Sequence, residues 1–307
     1  MPNPTRRELL AGGLALGAAA LTPVRREADR VLRVAHLTDI HVQPEKRGGE
    51  GMAACLQHIA KLDDRPDLIL TGGDQVMDVW GADRARAQTQ WDLYQKVWAD
   101  NTDLPVRHCL GNHDYWNGGE SAVDTSGKGY DWAMDALGME KPYYAFDQAG
   151  WRFIVLQSTQ PQAAGGYKGR LGEAQMAWLK AELGATPKER PILVLSHIPI
   201  LAACTFFDGD NEKTDNWQVP GAWMHIDARA IKDLFAKHSN VKVCLSGHVH
   251  LVDRVDYLGV TYLCNGAVSG GWWGGNYQEF APAYGLVDLY QDGTCHLEMV
   301  DFGWQAG

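Results

Sequence analysis

Five times along the chain a short apolar run stops abruptly in small and polar residues. The runs are "VLRVAHLTD" (31–39), "DLILTGGD" (67–74), "PVRHCLGNHD" (105–114), "PILVLSH" (191–197) and "VKVCLSGH" (241–248). Such continuous apolar runs, without strict in/out alternation, read as strands covered on both faces. Helix-like stretches lie between them at about 50–62, 81–99, 172–184 and 227–238. Strands alternating with helices predict a buried, largely parallel sheet. Three other segments read as hairpins: 143–158, 254–266 turning at Leu258-Gly259, and 284–302 turning at Asp292-Gly293. Hairpins added to βα units imply a second sheet of mixed direction. The economical α/β arrangement is two sheets packed together and flanked by helices.

Nothing in the 307 residues reads as a linker, an internal repeat or a charge block. Residues 31–307 are therefore expected to form one domain, with ample core for that length. Residues 1–30 stand apart. "TRRELL" (5–10) precedes a small, mildly apolar run to about Leu21 that is too short to span a bilayer. The layout is that of a signal peptide followed by a short linker. The Arg6-Arg7 pair resembles a twin-arginine signal, which predicts use of the twin-arginine export machinery and a periplasmic or extracellular location. A net charge of −10 argues against nucleic-acid polymers and anionic membrane surfaces as partners. The six cysteines contain no C-x-x-C pair and predict no disulfide framework.

The chemistry sits where the five runs end. Ligands of open α/β sheets gather beyond the C-terminal ends of strands. Here those ends carry Asp39-Ile40-His41, Gly73-Asp74, Gly111-Asn112-His113-Asp114, Ser196-His197 and Gly247-His248-Val249-His250. These are oxygen and imidazole donors, with no thiolate and no lysine among them. One Asp-x-His or Gly-Asp is a common turn. Five such elements in order, each closing a separate strand, are a constellation.

That constellation resembles the calcineurin-like metallophosphoesterases, whose pattern of D-x-H, G-D, G-N-H-[DE], a lone His and G-H-x-H stands here as "DIH", "GD", "GNHD", "SH" and "GHVH". The resemblance spans roughly 31–302. It implies a four-layer αββα sandwich of two mixed β-sheets flanked by helices. It also implies a dinuclear centre: Asp39, His41 and His250 on one metal ion, Asn112, His197 and His248 on the other, and Asp74 between them. His113 becomes the candidate general acid, and Asp114 the residue that fixes the turn or orients His113. A pair of ions polarises the phosphate oxygens and activates a water for in-line attack. Mixed imidazole, carboxylate and amide donors suit Fe, Mn, Zn or Co. Met77 stands three residues after Asp74, where purple acid phosphatases have tyrosine and protein Ser/Thr phosphatases have aspartate, so the resemblance to those branches is weaker. The layout leans to the cyclic-nucleotide phosphodiesterase-type branch.

The expected activity is hydrolysis of a small phosphate ester. A phosphodiester is favoured, with a cyclic nucleotide as one candidate. The alternatives are a phosphomonoesterase on a small exported substrate and a non-catalytic scaffold of the same fold. Two glycine-rich loops, 115–132 and 265–280, offer Tyr115, Trp116, Trp272, Trp273 and Tyr277 as substrate-stacking aromatics or as a capping minicore. His36, His58, His108, His225, His238 and His296 lack ligand-like company and are expected to be structural, and the acidic loop 206–217 to be a solvated insertion.

Overall fold

The computed structural model describes residues 30–118 and 128–307. The expected export segment and part of the 115–132 loop lie outside the described residues. In chain order the strands are β1 (Arg30–Leu37), β2 (Leu68–Thr71), β3 (Val106–His108), β4 (Tyr144–Gln148), β5 (Trp151–Val155), β6 (Thr159–Pro161), β7 (Tyr167–Gly169), β8 (Ile192–Leu195), β9 (Val241–Ser246), β10 (Asp253–Tyr257), β11 (Val260–Cys264), β12 (Ala283–Tyr290) and β13 (Cys295–Asp301). The helices are α1 (Gly48–Ala60), α2 (Arg84–Asn101), α3 (Asp131–Leu137), α4 (Gly172–Ala185) and α5 (Ala228–Phe235).

One sheet runs β13-β12-β1-β2-β3 and the other β10-β11-β9-β8-β5-β4, with β6 and β7 forming a separate hairpin. In the first sheet β1, β2 and β3 run parallel and β12 joins β1 antiparallel, followed by β13; in the second a parallel centre, β11-β9-β8-β5, carries an antiparallel strand at each edge, β10 and β4. The three hairpins expected from the sequence pair as read: β4 with β5, β10 with β11, and β12 with β13. The short α3 and the β6–β7 hairpin were not legible in the pattern.

Period-2 alternation sorts each strand's side chains into layers. In β8, Leu193 and Leu195 join Leu68, Leu70, Phe153 and Leu245 in the core between the sheets. Ile192 and Val194 face the other way, against Leu179 and Leu183 of α4 and Ile231 and Phe235 of α5. In the first sheet, Ala35, Leu37 and Ile69 face Met52, Cys55, Leu56 and Ile59 of α1 and Trp91 of α2. Helix, sheet, sheet, helix is the four-layer order. Each fully buried aliphatic side chain contributes about 1.5–3 kcal/mol. Helix α1 buries its i, i+3, i+4, i+7 stripe, and Gly51 on that stripe lets the Trp273 ring lie directly on the helix, where a Cβ would collide with it. All six cysteines are free.

Candidate metal centre

Strands β1, β2, β3, β8 and β9 deliver their C-terminal loops to one point. The local backbone explains how. Asp39, His41, Asp74, His248 and His250 all have positive φ, between 48° and 75°. That left-handed conformation redirects the side chains just past β1, β2 and β9, so their donors converge with Asn112 and His197 from the loops after β3 and β8. Asp and His tolerate it better than β-branched residues. Glycine neighbours make room: a Cβ on Gly111 would overlap Asp74, and one on Gly247 would overlap Thr38 and Asp39.

Three donor groups result, Asp39-His41-His250, His41-Asp74-His113 and Asp74-His197-His248, each with its ligand atoms within 4.8 Å of one another. Asn112 joins the last, its Oδ1 3.0 Å from His197 Nε2. Asp74 lies between the halves: its Oδ2 is 3.2 Å from His197 Nε2 and 3.7 Å from His41 Nε2.

The hydrogen bonds behind the donors decide what the cluster can hold. His41 Nδ1 lies 3.2 Å from the Met77 carbonyl, His197 Nδ1 2.8 Å from Gly72, His250 Nδ1 2.6 Å from Gly270, and His248 Nε2 2.9 Å from Ala222. A carbonyl accepts, so each of these nitrogens donates, and the opposite nitrogen of each neutral ring turns a lone pair inward. His41 Nε2 and His250 Nε2 face each other at 3.1 Å. His197 Nε2 and His248 Nδ1 do so at 3.2 Å. Asp39 Oδ1 is fully buried without a hydrogen-bond partner, 3.5 Å from His250 Nε2. Lone pairs and a bare carboxylate oxygen aimed at one another repel unless a cation lies among them. The residues fit a pair of metal ions.

Charge follows the same geometry. Burial, reinforced by His113, lowers His41 to about 3. Burial and then His197 lower His248 to about 3. Both rings are neutral, as ligands must be. Against its burial, the bare Asp74 carboxylate raises His197 to about 9, so with no cation present Nε2 would hold a proton, which a bound ion would displace to free the lone pair. Asp74 itself, though buried, is held well below the usual carboxylate range by His197 and His113.

His113 stands at the edge of the cluster. Its Nε2 lies 3.9 Å from Asp74 Oδ2 and its Nδ1 3.5 Å from Asp78 Oδ1. Working against burial, Asp74 and then Asp78 raise it to about 9. Asp78 was missed from the sequence because it falls one residue beyond the position that Met77 occupies. Asp114 is sealed beneath the turn, where it accepts from the backbone N–H of Gly111, Asp74 and Gln75 at 2.8–3.0 Å. It fixes the loops and does not face the cleft.

A cleft of about 400 Å³ opens over the donors, walled by Tyr167, Asp208, Trp223, Trp272 and Tyr277. It continues past Asp78 and Trp80. A groove of about 460 Å³ between the edge strands β3 and β4 has His108 and Glu140 in its lining, but among the described residues they form no donor cluster. Of the aromatics expected at the substrate, Trp272 lines the cleft with its ring 4.7 Å from His250, and Tyr277 stands beside it. Three others are corrected. Tyr115 is wholly buried between Trp80 and Tyr130. Trp116 packs on Trp132 and donates to the Ala82 carbonyl. Trp273 is core, donating Nε1–H to the His41 carbonyl at 3.0 Å. The acidic loop 206–217 is more than a solvated insertion, since Asp208 and Gly209 form part of the wall.

The surrounding comparisons agree with this geometry. The chain is 25% identical over 282 residues to the 3',5'-cyclic adenosine monophosphate phosphodiesterase CpdA of Escherichia coli K12, covering 87% of this chain and 89% of that one. It is 27% identical over 284 residues to a 3',5'-cyclic-nucleotide phosphodiesterase of Nostoc, covering 86% and 90%. Among solved structures, a dimetal phosphatase from Danio rerio superposes with a TM-score of 0.63 at 16% identity, covering 88% of this chain and 96% of that one, a likeness of fold. The family model of the calcineurin-like phosphoesterases matches residues 32–252. With that match running through all five strand-end motifs, the chain belongs to the calcineurin-like phosphoesterase family, hydrolases of phosphoric esters.

Proposed function

We propose that this protein hydrolyses a small phosphodiester, with a nucleoside cyclic phosphate the favoured substrate, at a centre of two metal ions. The carrying observation is the inward set of imidazole lone pairs around Asp39 and Asp74, each ring pinned from behind by a backbone carbonyl. Asp39, His41 and His250 would hold one ion, Asn112, His197 and His248 the other, with Asp74 shared. Ions drawn from Fe, Mn, Zn or Co suit these donors. When bound, such a pair supplies Lewis acidity to the phosphate oxygens and lowers the pKa of water.

The chain's own residues supply the rest. His113 presents a partly exposed ring to the cleft, with Asp74 and Asp78 beside it to favour its protonated form. Its Nε2–H is placed to protonate the departing ester oxygen, while Asp78 steadies Nδ1. The aromatic walls offer flat faces to a nucleobase and exclude water. Among the described residues neither Lys nor Arg lines the cleft, and Asp208 and Asp78 add negative charge. This favours a singly charged diester over a doubly charged monoester. The names of the bacterial relatives support the cyclic nucleotide within that class.

The test is a hydrolysis panel on metal-reconstituted protein with bis(p-nitrophenyl) phosphate, p-nitrophenyl phosphate, cyclic AMP and cyclic GMP. Faster turnover of the monoester than of every diester would refute the diester reading. Failure to bind metal, with no turnover of any ester, would favour the scaffold. We also propose export through the Arg6-Arg7 signal. Replacing both with lysine should leave precursor in the cytoplasm, whereas unchanged export in fractionation would favour the general secretion route.

A further inference from the structure

His248 differs from the other three pinned histidines in what holds it. The supports of His41 and His197, Met77 and Gly72, follow β2, and that of His250, Gly270, lies in the loop after β11. The Ala222 carbonyl behind His248 belongs to residues 218–227, an irregular strap between the acidic loop and α5. Trp223, the next residue, walls the cleft. A carbonyl is aimed only by the backbone that carries it, so the strap's anchor sets the orientation of His248.

That anchor is His225. Its ring is buried, with Nδ1 2.9 Å from Asp227 Oδ1 and Nε2 3.2 Å from Ser196 Oγ. Asp227 reaches onward to the Leu171 backbone N–H at the start of α4, 3.0 Å away. Against its burial, the His225 hydrogen bond holds Asp227 below the usual carboxylate range. Ser196 donates to the Ile198 carbonyl at 2.8 Å and immediately precedes His197. Backbone bonds complete the fastening: His225 N to Pro199 O, Ile226 N to Gly169 O and Gly169 N to Gly221 O, all within 2.9 Å. One buried ring, fixed at both nitrogens, therefore stands between the strap that orients His248 and the strand exit that presents His197.

We propose that His225 is a positioning residue for the second metal site, setting the Ala222 carbonyl against His248 and the Ser196–His197 exit from β8. The proposal rests on the two-metal reading of the centre. A residue with this role acts on one ion of the two. A residue that merely fills the core acts on the whole fold and on both ions alike.

The experiment titrates zinc alone into the full chain against a competing chelator and counts bound zinc. The parent should take up two ions. His225→Ala should weaken the second ion by ~10–100-fold, the usual effect of removing an outer support, and leave the first unchanged. His225→Gln, which can still bond one of its partners, should recover part of that loss. Equal weakening of both ions in step with a lowered Tm, or parental affinity for both, overturns the proposal. If His225→Ala does not fold, Ser196→Ala tests the same link from its other end. It should weaken the second ion alone, and parental affinity for both ions there overturns the proposal as well. A parent that binds no zinc pair would instead sink the two-metal reading and is distinguished from these outcomes by the parent titration.

Discussion

The two halves of the centre have similar donors and unequal surroundings. Asp39, His41 and His250 lie almost wholly out of solvent, and their backing comes from the main body of the fold. Ser269 Oγ donates to the Asp39 carbonyl, Trp273 to the His41 carbonyl, and Gly270 accepts from His250. The other half has the neutral amide of Asn112 where the first has the carboxylate of Asp39. Its His248 is partly exposed and leans on the strap at Ala222. Fewer charges, and a partly exposed ligand that leans on the strap, predict a weaker, more exchangeable ion. A shared centre need not be a symmetric one.

The comparison breaks most completely at Asp74, the only residue common to both halves. Asp74→Asn should leave about 1% of the activity or less and lower the zinc count at both positions. Near-normal turnover would end the dinuclear assignment. His113 belongs to neither half. His113→Ala should lose ~100-fold on diesters with poor leaving groups, retain most activity on nitrophenyl esters, and keep both ions. Loss of metal in that variant would move His113 into the ligand set.

Chelator titration of the parent sharpens the contrast directly. One ion should depart at ~10-fold lower chelator concentration than the other. His248→Ala should abolish the early step, and Asp39→Asn should weaken the late one. A single step for both ions would mean the halves are equivalent.

The smallest effect concerns a buried imidazole that serves neither half. Burial, then Arg107, lowers His108 on β3 to about 4, from an ordinary value near 6.5. Between those values the unfolded chain binds the proton and the folded chain does not, so stability falls as pH drops from about 6.5 to 4. The loss is at most about 3 kcal/mol from this residue. His108→Asn should flatten that part of the acid limb in denaturant melts without changing the zinc titration. An unchanged limb would show that His108 stays solvated enough to titrate normally.

The strand-end donors were legible in the sequence because each motif is local: strand, turn and ligand fall within a few residues, and the glycines mark the turn. Of the cleft walls, Trp272 and Tyr277 were legible and the others were not. Tyr167 arrives on a three-residue strand, Asp208 on a loop that reads as solvated, and Trp223 on the strap. Their placement depends on contacts far along the chain that leave no periodic trace. Adjacent residues show the limit most clearly. Trp272 and Trp273 sit in one glycine-rich loop and both have positive φ, yet one ring faces the cleft and the other fills the core against α1. Tyr115 and Trp116, next to the GNHD motif, went the same way as Trp273, drawn inward by aromatic neighbours. His225 offered no sequence signal because its partners are Ser196, on another element, and Asp227, an unremarkable aspartate two residues away.

The left-handed backbone at Asp39, His41, Asp74, His248 and His250 sets the needs of the catalyst against those of the fold. Each such residue costs roughly 1–2 kcal/mol that glycine in the same conformation would avoid, less about 0.5–1 kcal/mol for glycine's greater freedom when unfolded. At the four buried positions the packing and hydrogen bonds of the side chains outweigh that relief, so without metal the chain should gain heat tolerance from glycine at most at His248, the partly exposed one. Laboratory selection for thermal survival alone, with no demand for turnover, would erode the His248 turn first and arrive at a hardier, inert protein. Selection in the presence of metal reverses the gradient, because the bound ions stabilise only chains that retain the strained residues.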